Sequence, residues 1–247
     1  MTANQLWENV LVKFDTVTSL TAPGFDDARA SDILTYVQVL YSNKILFAKT
    51  NAKREGFEET EIRKQGLSAL IVDGLQAVDP PIVSSNQIGV LPNGVFYELP
   101  ADFWIAILEQ CTTNIADCRY PQTPTFTRIQ IKAIPHDWIN RGSYTYDIPY
   151  IDGGYEGLVW RLNHGKINNK KIHELITDGT FNVTNYNLRY LKIPRNIVVD
   201  LTTPANQVNP ELDSFTHEAL SDLAVKILKG IVDGSNSIDN LNLDNIQ

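Results

Sequence analysis

The sequence predicts an α+β fold, with N-terminal and C-terminal helices packed as a helical layer and a central, mostly antiparallel β domain. Three observations predict it. Apolar residues recur with helical period through roughly the first 75 residues and again after Pro210. Between these stretches, from Asp79-Pro80-Pro81 onward, Pro, Gly and Asn punctuate short runs rich in Val, Ile, Tyr, Phe and Thr, the composition of strands and hairpins. The 247 residues are 43% hydrophobic and 20% charged, as in folded chains that bury a sizeable core. The expected organisation is a helical region over 1–78, a β-rich domain over 79–209, a helix over 210–232 packing on the N-terminal helices, and an extended tail over 233–247.

Residues 4–14 form a short amphipathic helix, with Leu6, Trp7, Val10 and Leu11 on its apolar side. Pro23-Gly24 stops that segment, and a longer helix is predicted over 25–50. Asp26, Asp27 and Asp32 lie near its start, where the helix dipole favours carboxylates, and Ile33, Val37, Leu40, Tyr41, Ile45 and Ala48 form its buried stripe. At 1.5 Å per residue it would be about 36 Å long. Core packing is also expected of Tyr36. Residues 58–72 give a third helix, with Ile62, Leu67, Leu70 and Ile71 inward.

In the β domain, 87–91 and 95–98 flank Pro92-Asn93-Gly94, the turn chemistry of a hairpin. Residues 99–103 read as a turn into 104–111, whose continuous apolar run fits a buried strand, and 125–134 alternate as a half-buried one. Residues 135–141 read as one or two helical turns ended by Gly142, and 143–157 as an ordered but irregular loop of the kind that makes contacts. Strands are expected over 157–162 and 171–177, and a long one over 186–201 interrupted at Pro194. Proline donates no ladder hydrogen bond, so Pro194 puts this strand at an edge or marks its bend. The helix after Pro210 carries Phe215, Ala219, Leu220, Leu223, Ala224, Ile227, Leu228 and Ile231 on one broad face. The tail beyond it, with Ile238, Leu241, Leu243 and Ile246, is either a frayed end or an arm docked on a neighbouring subunit.

A net charge of -8 argues against a protein that grips a nucleic-acid backbone over an extended basic surface. The densest basic stretch, from Lys49 to Lys64, is broken by Glu55, Glu58, Glu59 and Glu61, the pattern of a solvated helix face. Cys111 and Cys118 lack the company a metal site needs, and read as two packed reduced thiols or as a single bridge. The first residues show no basic region followed by an apolar one, and no apolar run approaches 18 residues, so synthesis in a cytoplasm without export or a membrane span is expected.

Each candidate for chemistry has a simpler structural explanation. Gly153-Gly154 and Gly157 do not follow a strand and open a helix, as a phosphate-cradling loop must. His136-Asp137 has only Trp138, Asn140 and Arg141 for company and fits the start of a short helix. His164, His173 and His217 occur singly, without the spacing of a metal site. Glu98 and Asp102 are separated by Pro100 and belong to a turn, and no Gly-x-Ser-x-Gly elbow nominates a nucleophile. Asn182-Val183-Thr184 matches a glycosylation pattern that has no meaning for a chain expected to stay in a cytoplasm. The expectation is therefore no catalytic residue, no cofactor and no metal. The tyrosines in loops suit interfaces, because each brings a large rigid area with a polar tip.

Three places in the sequence resemble one family: Leu99-Pro100-Ala101-Asp102-Phe103-Trp104 leading into a strand; Ile134-Pro135-His136-Asp137-Trp138-Ile139-Asn140-Arg141; and Leu188-Arg189-Tyr190-Leu191-Lys192-Ile193-Pro194-Arg195 followed by Asn196-Ile197-Val198-Val199-Asp200-Leu201 and the closing helix. In this order and spacing they are similar to the ring, or head-to-tail adaptor, proteins in the tails of crAss-like and related podoviral bacteriophages. The likeness covers the middle and C-terminal thirds. After Lys192 the chain lacks the second basic residue and second proline that the family pattern often has.

The resemblance implies a structural virion protein: a closed homo-oligomeric ring of twelve subunits beneath the portal, in contact with the portal or other tail ring proteins, with a lumen through which genomic DNA passes without sequence-specific binding. An acidic lumen suits that role, because it repels phosphates. It also implies location in the virion tail after assembly in the cytoplasm of a bacterial host. The alternatives are a virion-associated hydrolase with a pocket near His136 and Asp137, and a receptor-contacting tail protein with loop 143–157 facing outward.

Overall fold

A computed structural model describes residues 1–18, 24–47, 61–72, 76–77, 94–115, 125–136, 149–152, 156–167 and 169–232. They divide into two compact units, one made of 1–71 with the residues from Ile193 onward, the other of 72–192.

The helical unit contains α1 (Ala3–Thr18), α2 (Asp27–Leu46), α3 (Glu61–Gly66) and α4 (His217–Val232). Ala3, Leu6, Trp7, Val10 and Phe14 recur at helical spacing and are buried along one side of α1, with Trp7 edge-on to Phe25 at 5.9 Å between ring centroids. Asp26 caps α2 by accepting from the Arg29 amide at 2.9 Å. The buried side of α2 differs from the expected stripe. It is centred on Ala30, Leu34 and Val37 and includes the polar Gln38 and Ser42, whereas Tyr36 is 45% exposed.

The third helix is shorter than expected, passing at Ser68–Leu70 into a 3-10 turn that buries Leu67 and Leu70, and residues 58–60 lie outside the described residues. The closing helix starts seven residues later than expected, at His217, after a 3-10 turn over Ser214–Thr216 in which the Thr216 amide bonds the Asp213 carbonyl at 2.9 Å. Leu220, Leu223, Ala224, Ile227 and Leu228 of α4 are buried. Phe215 and Ile231, expected on the same face, are exposed because one precedes the helix and the other lies in its last turn. Helix α4 packs on α1 and α2, and Lys13 of α1 donates to Glu218, Ser221 and Asp222 of α4.

The sheet unit holds β1 (Gln76–Ala77), β2 (Gly94–Glu98), β3 (Phe103–Ile115), β4 (Thr125–Ala133), β5 (Tyr150–Asp152), β6 (Glu156–Ile167), β7 (Lys170–Ile176) and β8 (Phe181–Lys192). Their order is β1-β8-β3-β4-β6-β7-β2, with β5 paired to β6; the β4–β6 pair is parallel and the others antiparallel. The α+β class with a mostly antiparallel sheet is thus present.

The sheet is strongly curled. Strands β2 and β3 lie four steps apart in the order, about 19 Å in a flat sheet, yet the chain passes from one to the other through Leu99–Asp102 alone, in a turn closed by the Phe103 amide on the Pro100 carbonyl. The concave face buries Tyr97, Phe103, Cys111, Val159, Leu175 and Tyr186 among others; the opposite face buries Ile134, Leu158, Trp160, Leu162 and Ile176.

Several strand expectations need revision. Strand β3 is less buried than its apolar run suggests: its register shifts twice between Phe103 and Leu108, and Leu108 is left 43% exposed. Part of the expected loop 143–157 is the β5–β6 pair, where Ile151 faces Gly157. The long strand over 186–201 is two things: β8 ends at Lys192, and the residues beyond it leave the ladder. The expected partner strand 87–91 and its turn residues Pro92 and Asn93, Asp137–Arg141, Cys118 and the tail 233–247 lie outside the described residues.

Candidate functional site

Among the described residues, two convergences of polar side chains tie several segments together. The first is the concave face of the sheet. Arg161 of β6 places Nη1 3.0 Å from both carboxylate oxygens of Glu109 on β3. Tyr186 of β8 donates its hydroxyl to the same carboxylate, and His173 of β7 meets the Tyr186 hydroxyl at 3.0 Å. Four strands contribute one group each, and only a curled sheet can bring β7 and β8 together in this way.

Protonation follows from the bonding. Tyr186 gives its single hydrogen to Glu109, so the Nδ1–H of His173 donates to the tyrosine oxygen, and its Nε2 is buried without a partner. Burial first, then the Arg161 and His164 charges, lowers the His173 pKa to about 3, and the ring is neutral at pH 7. Burial, then the Glu109 carboxylate, pushes Tyr186 up; burial also holds Tyr97 and Cys111 up to about 12. A deeply buried thiol of that pKa is no nucleophile. The Tyr186 hydroxyl, the Glu109 carboxylate and the Arg161 Nη1 are spent on one another, while His173 Nε2 and Arg161 Nε are buried without a hydrogen-bond partner.

A pH dependence follows. His173 has an ordinary pKa of 6.5 when unfolded and about 3 when folded, so between these values the unfolded chain binds a proton that the folded chain refuses. Its contribution to stability is complete above about pH 6.5 and is lost as pH falls. The urea midpoint is expected to drop between pH 7.5 and pH 5, and the drop should be shallower in His173→Gln.

On the opposite face, His164 meets Glu174 at 2.8 Å, and the His136 ring stands edge-on to His164 with centroids 4.9 Å apart while its Nε2 reaches the Asn163 carbonyl at 3.0 Å. The Glu174 side chain is packed so closely against Gly94 that an added Cβ there would lie 2.0 Å from Oε1. Among the described residues no group of three or more His, Cys, Asp or Glu could hold a metal. Glu98 and Asp102 do not converge: the first accepts from Lys170, the second from the Tyr190 hydroxyl. Gly157 is a strand residue facing Ile129. His217 donates from one ring nitrogen to the Leu212 carbonyl and accepts on the other from the terminal ammonium of Met1.

The second place is in the helical unit, and sequence reasoning missed it. After Pro194 the chain runs extended as a strap along α2, bonded through its backbone. The Gln38 amide donates to the Arg195 carbonyl at 3.0 Å; the Thr35 hydroxyl accepts from the Ile197 amide at 2.9 Å; Ser31 accepts from Val199 at 2.9 Å; and Asp27 accepts from Leu201 at 3.1 Å. Four helix positions spaced by four, four and three residues thus read every second residue of an extended chain. The match is geometric: four helical residues rise about 6.0 Å and two extended residues about 6.6 Å.

The other edge of the strap is also satisfied. Val198 exchanges both backbone bonds with Val208, and the Asn4 side chain does the same for Asp200. Pro194, which has no amide hydrogen, stands where β8 ends and the strap begins. The Asp27-Ser31-Thr35-Gln38 spacing was the available signal, hidden because such residues on a helix usually face water.

Comparison with known proteins completes the picture. Residues 1–235 match the family model for phage tail ring protein 3/4. Ring protein 4/5 of Bacteroides phage crAss001 is 24% identical over an alignment that covers 95% of this chain and 94% of that protein. Both alignments take in the N-terminal helices, to which the three sequence motifs did not extend. Among the described residues no helix is long and apolar enough to cross a membrane.

Proposed function

Since the chain belongs to the phage tail ring protein 3/4 family, we propose that it forms a closed ring of twelve identical subunits beneath the portal, surrounding a lumen through which the genome passes and offering a docking surface to the portal or other tail rings. The ring is a structural part of the virion tail. Its work is assembly rather than turnover.

The observation that carries this reading is the family match over 1–235. Two physical features support it. A net charge of -8 suits a wall past which DNA must slide without being held. Most bonds of the described polar clusters are made within the chain, as expected of a rigid building block. Native mass spectrometry and electron microscopy of the purified protein, alone and with the neighbouring tail proteins, should show twelvefold rings. A protein that stays monomeric both alone and in the assembled tail would overturn the proposal.

A further inference from the structure

The β6–β7 hairpin puts lysines where a ladder disfavours them. Lys166 and Lys171 are direct partners in the antiparallel register, and Lys170 follows opposite Ile167; like charges facing each other across a sheet destabilise it. The tight turn keeps all three at one end of the unit, with Asn169 in the left-handed region at φ 65. Nearby carboxylates offset only part of this charge. Lys170 reaches Glu98 at 2.7 Å, and Lys171 is turned toward the Phe103 carbonyl with Asp102 close by. Lys166 is exposed.

The helical unit carries the opposite surface. Asp26, Asp27 and Asp32 crowd the start of α2, and among the described residues of that first stretch of the helix Arg29 is the opposing charge. Exposed apolar side chains occur on the same elements: Tyr36 of α2 at 45%, and Val198 and Leu201 of the strap at 37% and 46%. Exposed apolar groups together with charge of one sign have the make-up of a contact surface.

We propose that these are the two halves of the contact between subunits: the lysine-bearing end of the sheet unit in one copy sits on the aspartate-bearing start of α2 in the next. The inference rests on the ring reading above. The two surfaces differ, so each copy gives one and receives one, and a contact of that kind closes a ring by rotation. A duplex backbone is the other anionic partner, but it needs an array of cations free to neutralise phosphates. Lys170 and Lys171 are already directed to partners in their own chain, which suits a few carboxylates better.

The test is charge reversal with rescue, using Lys166→Glu with Lys170→Gln on one side and Ala28→Lys with Asp32→Lys on the exposed side of α2. Each pair is expected to lower the assembled fraction about tenfold at low salt, and wild-type assembly should weaken as salt rises. The variant carrying all four changes should assemble again. Circular dichroism and urea midpoints confirm that each variant folds. If the wild type assembles and neither pair affects it, or if the folded fourfold variant stays apart, this contact is wrong while the ring stands. If the wild type never assembles, the ring reading fails and takes the contact with it. If the wild type binds a short DNA duplex and Lys166→Glu with Lys170→Gln abolishes that binding while rings persist, the hairpin serves nucleic acid and the proposal is overturned.

Discussion

Arg161→Met is expected to cost the sheet unit about 3 kcal/mol, because removing one partner of a buried ion pair strands the other. Both side chains are about 15% exposed, at 16% and 15%, so water can do little to rescue Glu109. Methionine keeps most of the arginine stem, and the loss comes from charge rather than from a cavity. The double variant Arg161→Met with Glu109→Leu should recover most of the stability, since neither charge then has to be desolvated. Tyr186 would turn its hydroxyl to His173 Nδ1, moving the ring hydrogen to Nε2. Urea unfolding of both variants at pH 7 measures this. A double variant no more stable than the single one would show that the pair is not the source of the loss.

Gln38→Leu should be the second large effect, at about 2 kcal/mol. Gln38 is fully buried; its side chain donates to the Arg195 carbonyl and accepts from the Glu211 amide at 3.1 Å. Leucine fills the space but takes away the bond that Gln38 makes to each of these backbone groups, and losing one side of a part-buried bond costs more than an ordinary hydrogen bond is worth. Amide exchange should quicken at Ile197 and Val199, whose bonds to Thr35 and Ser31 lie on the same strap, while the amides of β6 and β7 keep their protection. Unchanged exchange along the strap would mean that each rung acts alone.

Much of this fold is legible in the sequence where one residue type answers one environment. Helices α1 and α4 follow from apolar spacing, and β8 is expected from Tyr186 onward, but not its first half, where buried Phe181 and Val183 alternate with exposed Asn182 and Thr184. Legibility ends where polar residues do structural work. Thr35 and Gln38 look solvent-facing by type, yet they bond the strap backbone, and this rotates the buried face of α2 away from the predicted stripe. Ile197 and Val199 alternate as in a strand and are buried as in one, but the strap takes its bonds from helix side chains, which no strand pattern encodes. Glu109, Arg161, His173 and Tyr186 lie far apart in the chain, and their meeting depends on a curl that periodicity does not report.

The pairing of strap and helix has a mechanical consequence. Its rungs lie side by side along one line, so a pull directed along the strap loads Gln38, Thr35, Ser31 and Asp27 together, and nothing moves until several bonds yield at once. A pull directed away from the helix meets them one after another, like a zip. The joint is stiff in shear and weak in peel, so force along the strap is borne far better than force that prises it off the helix.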